Sequence, residues 1–247
     1  MSKNFFLAVF LLTSASFFWS GNFFAGKIAY LSDLTPFKLG FFRWLLAMLI
    51  LLPFTYSEII RNYNYYKKNI LLMTFLGFLA VTVFNSLTYI SLQTTLIINS
   101  TLMASIAPVL MIGFSWLIFK TKTTILQFAG IFLSLLGAFS IILKGNINNL
   151  FNLYFTSGDV WMFTAVVSWC LYSVLLKKID NSISQLASLQ VMVILGLVFI
   201  FPLYIVENYN TSFLPTQKID FVIIIYVAIF ASIIAFFSWN KGVSIIG

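Results

Sequence analysis

Residues 17–27 read FFWSGNFFAGK, and residues 167–177 read VSWCLYSVLLK. Tryptophan and lysine hold the same two places in both stretches, 150 residues apart, pairing Trp19 with Trp169 and Lys27 with Lys177. The echo continues at Lys68 with Lys218. It then runs one residue out of step at Pro53 with Pro202 and Glu58 with Glu207. Identities are sparse, so the correspondence rests on the order of apolar blocks around them. An internal repeat constrains architecture before any single residue does. Here the first copy takes in five apolar blocks and the second takes in three.

Those blocks cannot belong to a soluble domain. Hydrophobic residues make up 61% of the 247 residues, charged ones 8%, and the mean hydropathy is +1.03. A soluble domain carries about a quarter charged residues, so this chain has too few to cover a core with a solvated surface. Crossing the hydrocarbon takes about 20 apolar residues in a helix. Eight blocks qualify, at 5–25, 36–54, 70–92, 94–119, 125–143, 160–176, 186–206 and 221–239. Helices are the only choice for them, because open strands leave backbone groups unpaired in lipid. The expected fold is therefore all-α, a polytopic membrane bundle of eight helices. The third and fourth meet at Gln93-Thr94 in a tight hairpin. The longest connections, 57–69, 145–157 and 207–220, are polar and too short to be domains. The run from Phe5 resumes at Phe17-Phe18-Trp19, which suits an uncleaved first span rather than a signal peptide.

Lys and Arg set the orientation. With the N-terminus in the cytoplasm, Lys3, Arg61, Lys67, Lys68, Lys120, Lys122, Lys177, Lys178 and Lys241 fall inside, and Lys27, Lys38, Lys144 and Lys218 outside. The net charge of +8 is thus an orientation signal at the ends of apolar blocks, not a nucleic-acid surface. Five is odd, so equivalent segments enter the membrane from opposite sides. The charges follow: loop 57–68 is basic inside while 207–218 keeps only Lys218, and Lys27 stands alone outside while Lys177-Lys178 is doubled inside. This is the inverted-repeat plan of many secondary transporters, with repeats at 1–147 and 158–247, the second incomplete.

The chemistry is bounded by what is missing. Histidine is absent and Cys170 is the single cysteine, which removes disulfides, thiol metal sites and His-dependent triads. The acids Asp33, Glu58, Asp159, Asp180, Glu207 and Asp220 all lie near block ends, so neither paired-carboxylate catalysis nor a proton relay is expected within the bilayer. No cofactor or metal is expected.

Lys27 and Arg43 lie eight residues to either side of Thr35. A hairpin turning there puts both at similar depth, with Arg43 about 10 Å into its helix. A buried cation signals a pathway or a partner. A carboxylate or phosphate on a ligand would satisfy both, Arg43 bidentately; the competing reading is that both side chains snorkel to the headgroups. A second polar group consists of Asn22, Asn85, Tyr89, Asn99 and Ser100, which either line a cavity or bond helix to helix. Trp19, Trp169, Tyr172 and Trp239 are aromatic wall candidates or interfacial belt residues. Gly130, Ser134 and Ala138 read as a packing face, and Pro108 as a kink.

Trp19-Ser20-Gly21-Asn22-Phe23, followed by Lys27, Pro36 and Arg43, resembles the opening of the EamA family of the drug/metabolite transporter superfamily. Ser100 through Pro108 to Gln127, Gly130 and Gly137 is similar to that family's fourth and fifth helices. Gly158-Asp159, Ser168-Trp169, Tyr172-Ser173 and Lys177 resemble the start of its second repeat. The resemblance implies a secondary transporter of small organic metabolites, anionic or zwitterionic, in the plasma membrane, working by alternating access in contact with membrane lipid. Two departures stand out. Lys120-Thr121-Lys122-Thr123 replaces a family Glu between helices four and five. The family has ten helices, and Gly247 corresponds to Ile97, so the counterparts of the last two are expected to be missing. The alternative is a nontransporting membrane protein, an assembly partner whose second copy needs a homodimer or a complementing C-terminal segment to cover its faces.

Overall fold

The computed structural model describes residues 3–122, 124–142 and 156–246. The connection at 145–157, apart from its last two residues, therefore lies outside the described residues. So do Lys144, Thr123, Gly247 and the side chains of Lys3 and Ala138.

Every described element is helical. Helices α1 (Lys3–Leu31) and α2 (Pro36–Arg61) form the first hairpin, followed by a short α3 (Tyr63–Lys68). The third span runs from α4 (Ile70–Gly77) through a π-helical segment (Phe78–Phe84) into α5 (Asn85–Thr94). The fourth consists of α6 (Ile97–Ser105) and α7 (Ala107–Phe119), and α8 (Ile125–Ile142) follows. In the second half, α9 (Ser157–Leu175) and α10 (Gln185–Glu207) precede a last span of α11 (Lys218–Tyr226), a second π segment (Val227–Ile234) and α12 (Ala235–Ile246). Seven of these spans are long and apolar enough to cross a membrane, and Ile125–Gly137 is a shorter apolar helix. The spans overrun their apolar blocks: α1 continues six residues past Ala25, and the turn after the third span falls at Thr95-Leu96, two residues beyond the expected Gln93-Thr94.

Local chemistry explains the breaks. Pro36 opens α2, where its missing N–H costs nothing. Pro108 sits at the start of α7, and the fourth span breaks at Ile106, which is the expected kink. Lys120 ends α7 in the left-handed conformation (φ 55°). Asp159 and Asp220 each accept from the backbone just before their helices, closing capping boxes at α9 and α11.

The packing has an exchanged pattern. The third span rests on α9 and α10, the first two helices of the second half. The last span rests on α1 and α2, the first two helices of the first half. At the centre α2 packs along α10. Gly77 on α4 meets Gly196 on α10 so closely that a Cβ at either would run into the other helix's backbone, and Thr82 donates to Gly196 O at 2.9 Å. Small residues let these helices approach where apolar burial supplies little drive in lipid. Outward faces carry large apolar side chains such as Phe6, Phe10, Phe54, Leu71, Val198 and Val206, the composition that hydrocarbon demands. Around Gly130 on α8 there is open space, so no close helix approach is made there.

Candidate functional site

Arg43, fully buried on α2, makes more side-chain hydrogen bonds than any other of the described residues. Its Nε donates to Ser232 Oγ at 2.5 Å and its Nη2 to Ala231 O at 2.9 Å. Nη1 faces Asn85 Oδ1 and Tyr89 OH, each at 2.6 Å, and Asn22 Oδ1 at 3.1 Å. Five protein acceptors surround the guanidinium; three of them share the two N–H groups of Nη1, and one each meets Nη2 and Nε. No carboxylate is among them. The cation is held by neutral oxygens and lies 5.0 Å from the Trp44 ring.

Both π segments feed this cluster. Asn85 donates its amide to Ala80 O (2.5 Å) and Ser232 its hydroxyl to Val227 O (2.8 Å), each bonding a carbonyl five residues before it. A π turn displaces the helical ladder and frees such carbonyls, which is why it recurs at functional sites. Ala231 O, in the second π segment, accepts from Arg43 and also from Trp19 Nε1 at 3.0 Å.

Beside this cluster lies a cavity of about 470 Å³. Its walls are aromatic and apolar: Trp19, Phe23, Phe84, Trp169 and Trp239, with Met111, Met162 and Val166. Trp169 is the hub, with ring centroids at 4.8 Å from Trp19, 4.9 Å from Phe84 and 5.4 Å from Trp239. Polar atoms come from Asn22 and from hydroxyls such as Ser16, Thr88, Thr101 and Ser134. Among the described residues no charged side chain lines it. The size and mostly apolar lining suit a small organic ligand.

The two ends of the bundle differ. A second cavity of about 360 Å³, lined by Ser115, Thr121, Lys122 and Lys177, borders the first across Met111 and Trp239 on the Lys122 side. At the opposite end, hydrogen bonds among the described residues tie the two halves of the chain together. Thr95 Oγ1 donates to Asp159 Oδ1 at 2.5 Å, and Ser32 Oγ to Asp220 Oδ1 at 2.9 Å. Gln217 Nε2 donates to Ser32 O, and Thr35 Oγ1 to Asn208 Oδ1. Glu207 Oε2 accepts from the Phe37 and Lys38 N–H groups at 2.9 and 3.1 Å, capping α2 from a neighbouring helix.

Of the ten residues singled out from the sequence, Trp19, Asn22 and Trp169 line the cavity. Arg43, Asn85 and Tyr89 stand behind Asn22 as its hydrogen-bonded support. Tyr172 backs Trp169 at 5.1 Å and donates to Asn240. Ser100 is buried with no partner for its Oγ among the described residues, and Asn99 is half-buried, outside the lining. Lys27 has partners of its own: its Nζ donates to Leu92 O at 2.7 Å and lies 3.5 Å from Thr95 O, capping the end of α5. It shares no partner with Arg43. Sequence reading missed Phe84 and Ser232, because π segments have no residue signature, and Thr88, whose hydroxyl reads as an ordinary helix back-bond to Phe84 O. It also missed Asp159 and Asp220 as inter-helix ties, since helix-end acids look like ordinary caps.

Fold and cavity together define a polytopic helical membrane protein built to admit a small molecule between its helices. The chain belongs to the EamA-like transporter family, whose profile matches residues 6–143 and 156–247. It is 28% identical over 204 residues to the uncharacterized transporter YyaM of Bacillus subtilis strain 168, covering 81% of this chain and 65% of that protein. An uncharacterized transporter of Archaeoglobus fulgidus is 25% identical over 93% of this chain and 77% of its own length. Bacillus subtilis YetK, also an uncharacterized transporter, is 24% identical over 72% of this chain and 54% of its own length. The chain thus spans less than two thirds of YyaM and of YetK. A solved crystal structure shares the fold at a TM-score of 0.67 with 14% identity, covering 96% of this chain and 79% of that one.

Proposed function

We propose that this protein moves a small, flat, largely apolar organic molecule across the plasma membrane by alternating access. The observation that carries the reading is the aromatic cavity around Trp169, with no charged side chain among its described lining residues and a second cavity beside it at the Lys122 and Lys177 end. The tied opposite end supports an assignment of this conformation as inward-open, with the N-terminus cytoplasmic. The exchanged packing of the two π-bearing spans supports inverted repeats over 1–147 and 158–247, the geometry on which rocking of one bundle against the other depends.

Substrate selection in this scheme rests on shape and aromatic stacking, with few polar contacts. Seven of the ten sequence-derived residues take two roles in it. Trp19, Asn22 and Trp169 touch substrate; Arg43, Asn85, Tyr89 and Tyr172 hold them in place. An anionic group is a poor fit for the cavity as lined, because no cation is among its described lining residues and Arg43 stands behind Asn22. Transport proceeds as exchange or facilitated movement, since no carboxylate or histidine lines the cavity to relay a proton.

Counterflow in proteoliposomes tests the reading. A panel of radiolabelled aromatic, aliphatic and anionic metabolites is offered to protein preloaded with each unlabelled compound. Saturable counterflow of an uncharged or zwitterionic aromatic compound, lost in Trp169→Ala, is expected. Counterflow confined to non-aromatic anions would overturn it.

A further inference from the structure

Asn22 is at once a wall of the cavity and a member of the Arg43 cluster. Its Oδ1 accepts from Tyr89 OH at 2.9 Å and shares Arg43 Nη1, at 3.1 Å, with Asn85 and Tyr89. Arginine has donors only, so the carboxamide cannot flip: an amide nitrogen turned toward Arg43 would set N–H against N–H. Tyr89 is fixed in the same way. Its oxygen accepts from Arg43, which leaves its proton for Asn22. The Asn22 Nδ2 has no protein partner among the described residues, yet it does not rank with the fully enclosed unpaired atoms Trp44 Nε1, Ser86 Oγ, Ser100 Oγ, Gln190 Oε1 and Asn240 Nδ2. The remaining surface open to it is the cavity.

We infer that Asn22 is the specificity-determining donor of the site, and that the substrate carries a neutral hydrogen-bond acceptor, a carbonyl oxygen or an aromatic ring nitrogen, that meets Asn22 Nδ2 while its ring lies among Trp19, Phe84 and Trp169. This rests on the aromatic-cavity reading above and adds a direction to it. Arg43 and Tyr89 are positioning residues: they touch no substrate and act by holding the amide with its N–H groups outward. Asn85 is held by Arg43 in the same sense, but its Nδ2 is spent on Ala80 O. Of these two amides, only that of Asn22 is left for a ligand. The neighbouring hydroxyls bond elsewhere: Ser20 donates to Phe17 O and Thr88 to Phe84 O. An acceptor entering the cavity thus meets at Asn22 a donor whose direction is fixed from behind, and a ligand that satisfies it gains one net hydrogen bond over one that does not.

The test uses quinoline and naphthalene, which share shape and size and differ by one ring nitrogen. Binding of radiolabelled quinoline to the full chain in nanodiscs is measured, with empty nanodiscs subtracted and unlabelled naphthalene as competitor. Quinoline should bind about fivefold tighter than naphthalene, the difference one net hydrogen bond makes. Asn22→Asp replaces the outward amide by a carboxylate oxygen; naphthalene binding should persist, which reports an intact cavity, while the quinoline preference disappears. Tyr89→Phe, which frees one side of the Asn22 oxygen, should reduce the preference without abolishing naphthalene binding. Equal affinities in the unsubstituted protein, or a preference that survives in Asn22→Asp, would overturn the donor assignment and leave the aromatic cavity standing. Binding of neither compound would overturn both.

Discussion

Arg43 and Tyr89 sit 2.6 Å apart, the guanidinium donating to the phenol oxygen, and together they close on Asn22 Oδ1. The three residues come from α2, α5 and α1, so this contact ties together three spans at the depth where the cavity begins. A charge buried in a membrane protein is expensive unless its donors are met. Here the acceptors are neutral and numerous, and the arginine acts as a fixed strut.

Arg43→Lys keeps the charge but offers three donors from one point instead of a five-donor fork. At least two of the five acceptors are then left without that donor, at about 1–3 kcal/mol for each buried group that stays unsatisfied. The apparent melting temperature in detergent should fall by several degrees. An unchanged value would mean that the cluster contributes nothing to the bundle.

Gly158 and Gly130 make a matched pair. A Cβ on Gly158 would lie 2.5 Å from Ser91 O, a backbone atom that cannot swing away, whereas Gly130 has nothing within 4 Å. Gly158→Ala should destabilise by about 1–3 kcal/mol through overpacking and loosen the Thr95–Asp159 tie beside it. Gly130→Ala should be neutral or stabilise by about 0.5–1 kcal/mol, the helix preference for alanine. Thermal unfolding of the two variants side by side checks both signs.

Trp169 touches Trp19, Phe84, Tyr172, Phe236 and Trp239. Trp169→Ala should remove aromatic ligand binding and lower stability by about 3–5 kcal/mol. Trp169→Phe, which keeps a ring at the hub, should retain part of both. Ligand binding untouched in Trp169→Ala would place the ligand elsewhere.

How much of this could be read from residues alone varies with the kind of interaction. The all-α membrane bundle followed from apolar runs of spanning length, and the isolation of Arg43 in such a run marked it at once. Asn22, Asn85 and Tyr89 were legible as inward-facing, since an amide in lipid goes unpaired. That they would meet Arg43 was not, because two of its acceptors, Ser232 Oγ and Ala231 O, come from a π segment nearly 190 residues away. Lys27 and Arg43 were matched for depth by counting from Thr35, but counting fixes depth and not direction: Lys27 turns to the end of α5. The ties at Asp159 and Asp220 were hidden for a related reason, as each acid fills its helix-capping role with one oxygen and reaches another helix with the other.

In the proposed inward-open state the cavity is reached from the Lys122 end while the Asp159 and Asp220 ties close the other. Thr88, which lines that cavity, reports on it directly when replaced by cysteine in a Cys170→Ala background. Labelling of Thr88→Cys by a membrane-impermeant thiol reagent is measured in inside-out and right-side-out vesicles. Labelling should be fast from the Lys122 face and slow from the other, with the slow rate rising when Asp159→Asn and Asp220→Asn loosen the ties. Faster labelling from the Asp159 face, or none from either, would contradict the inward-open state.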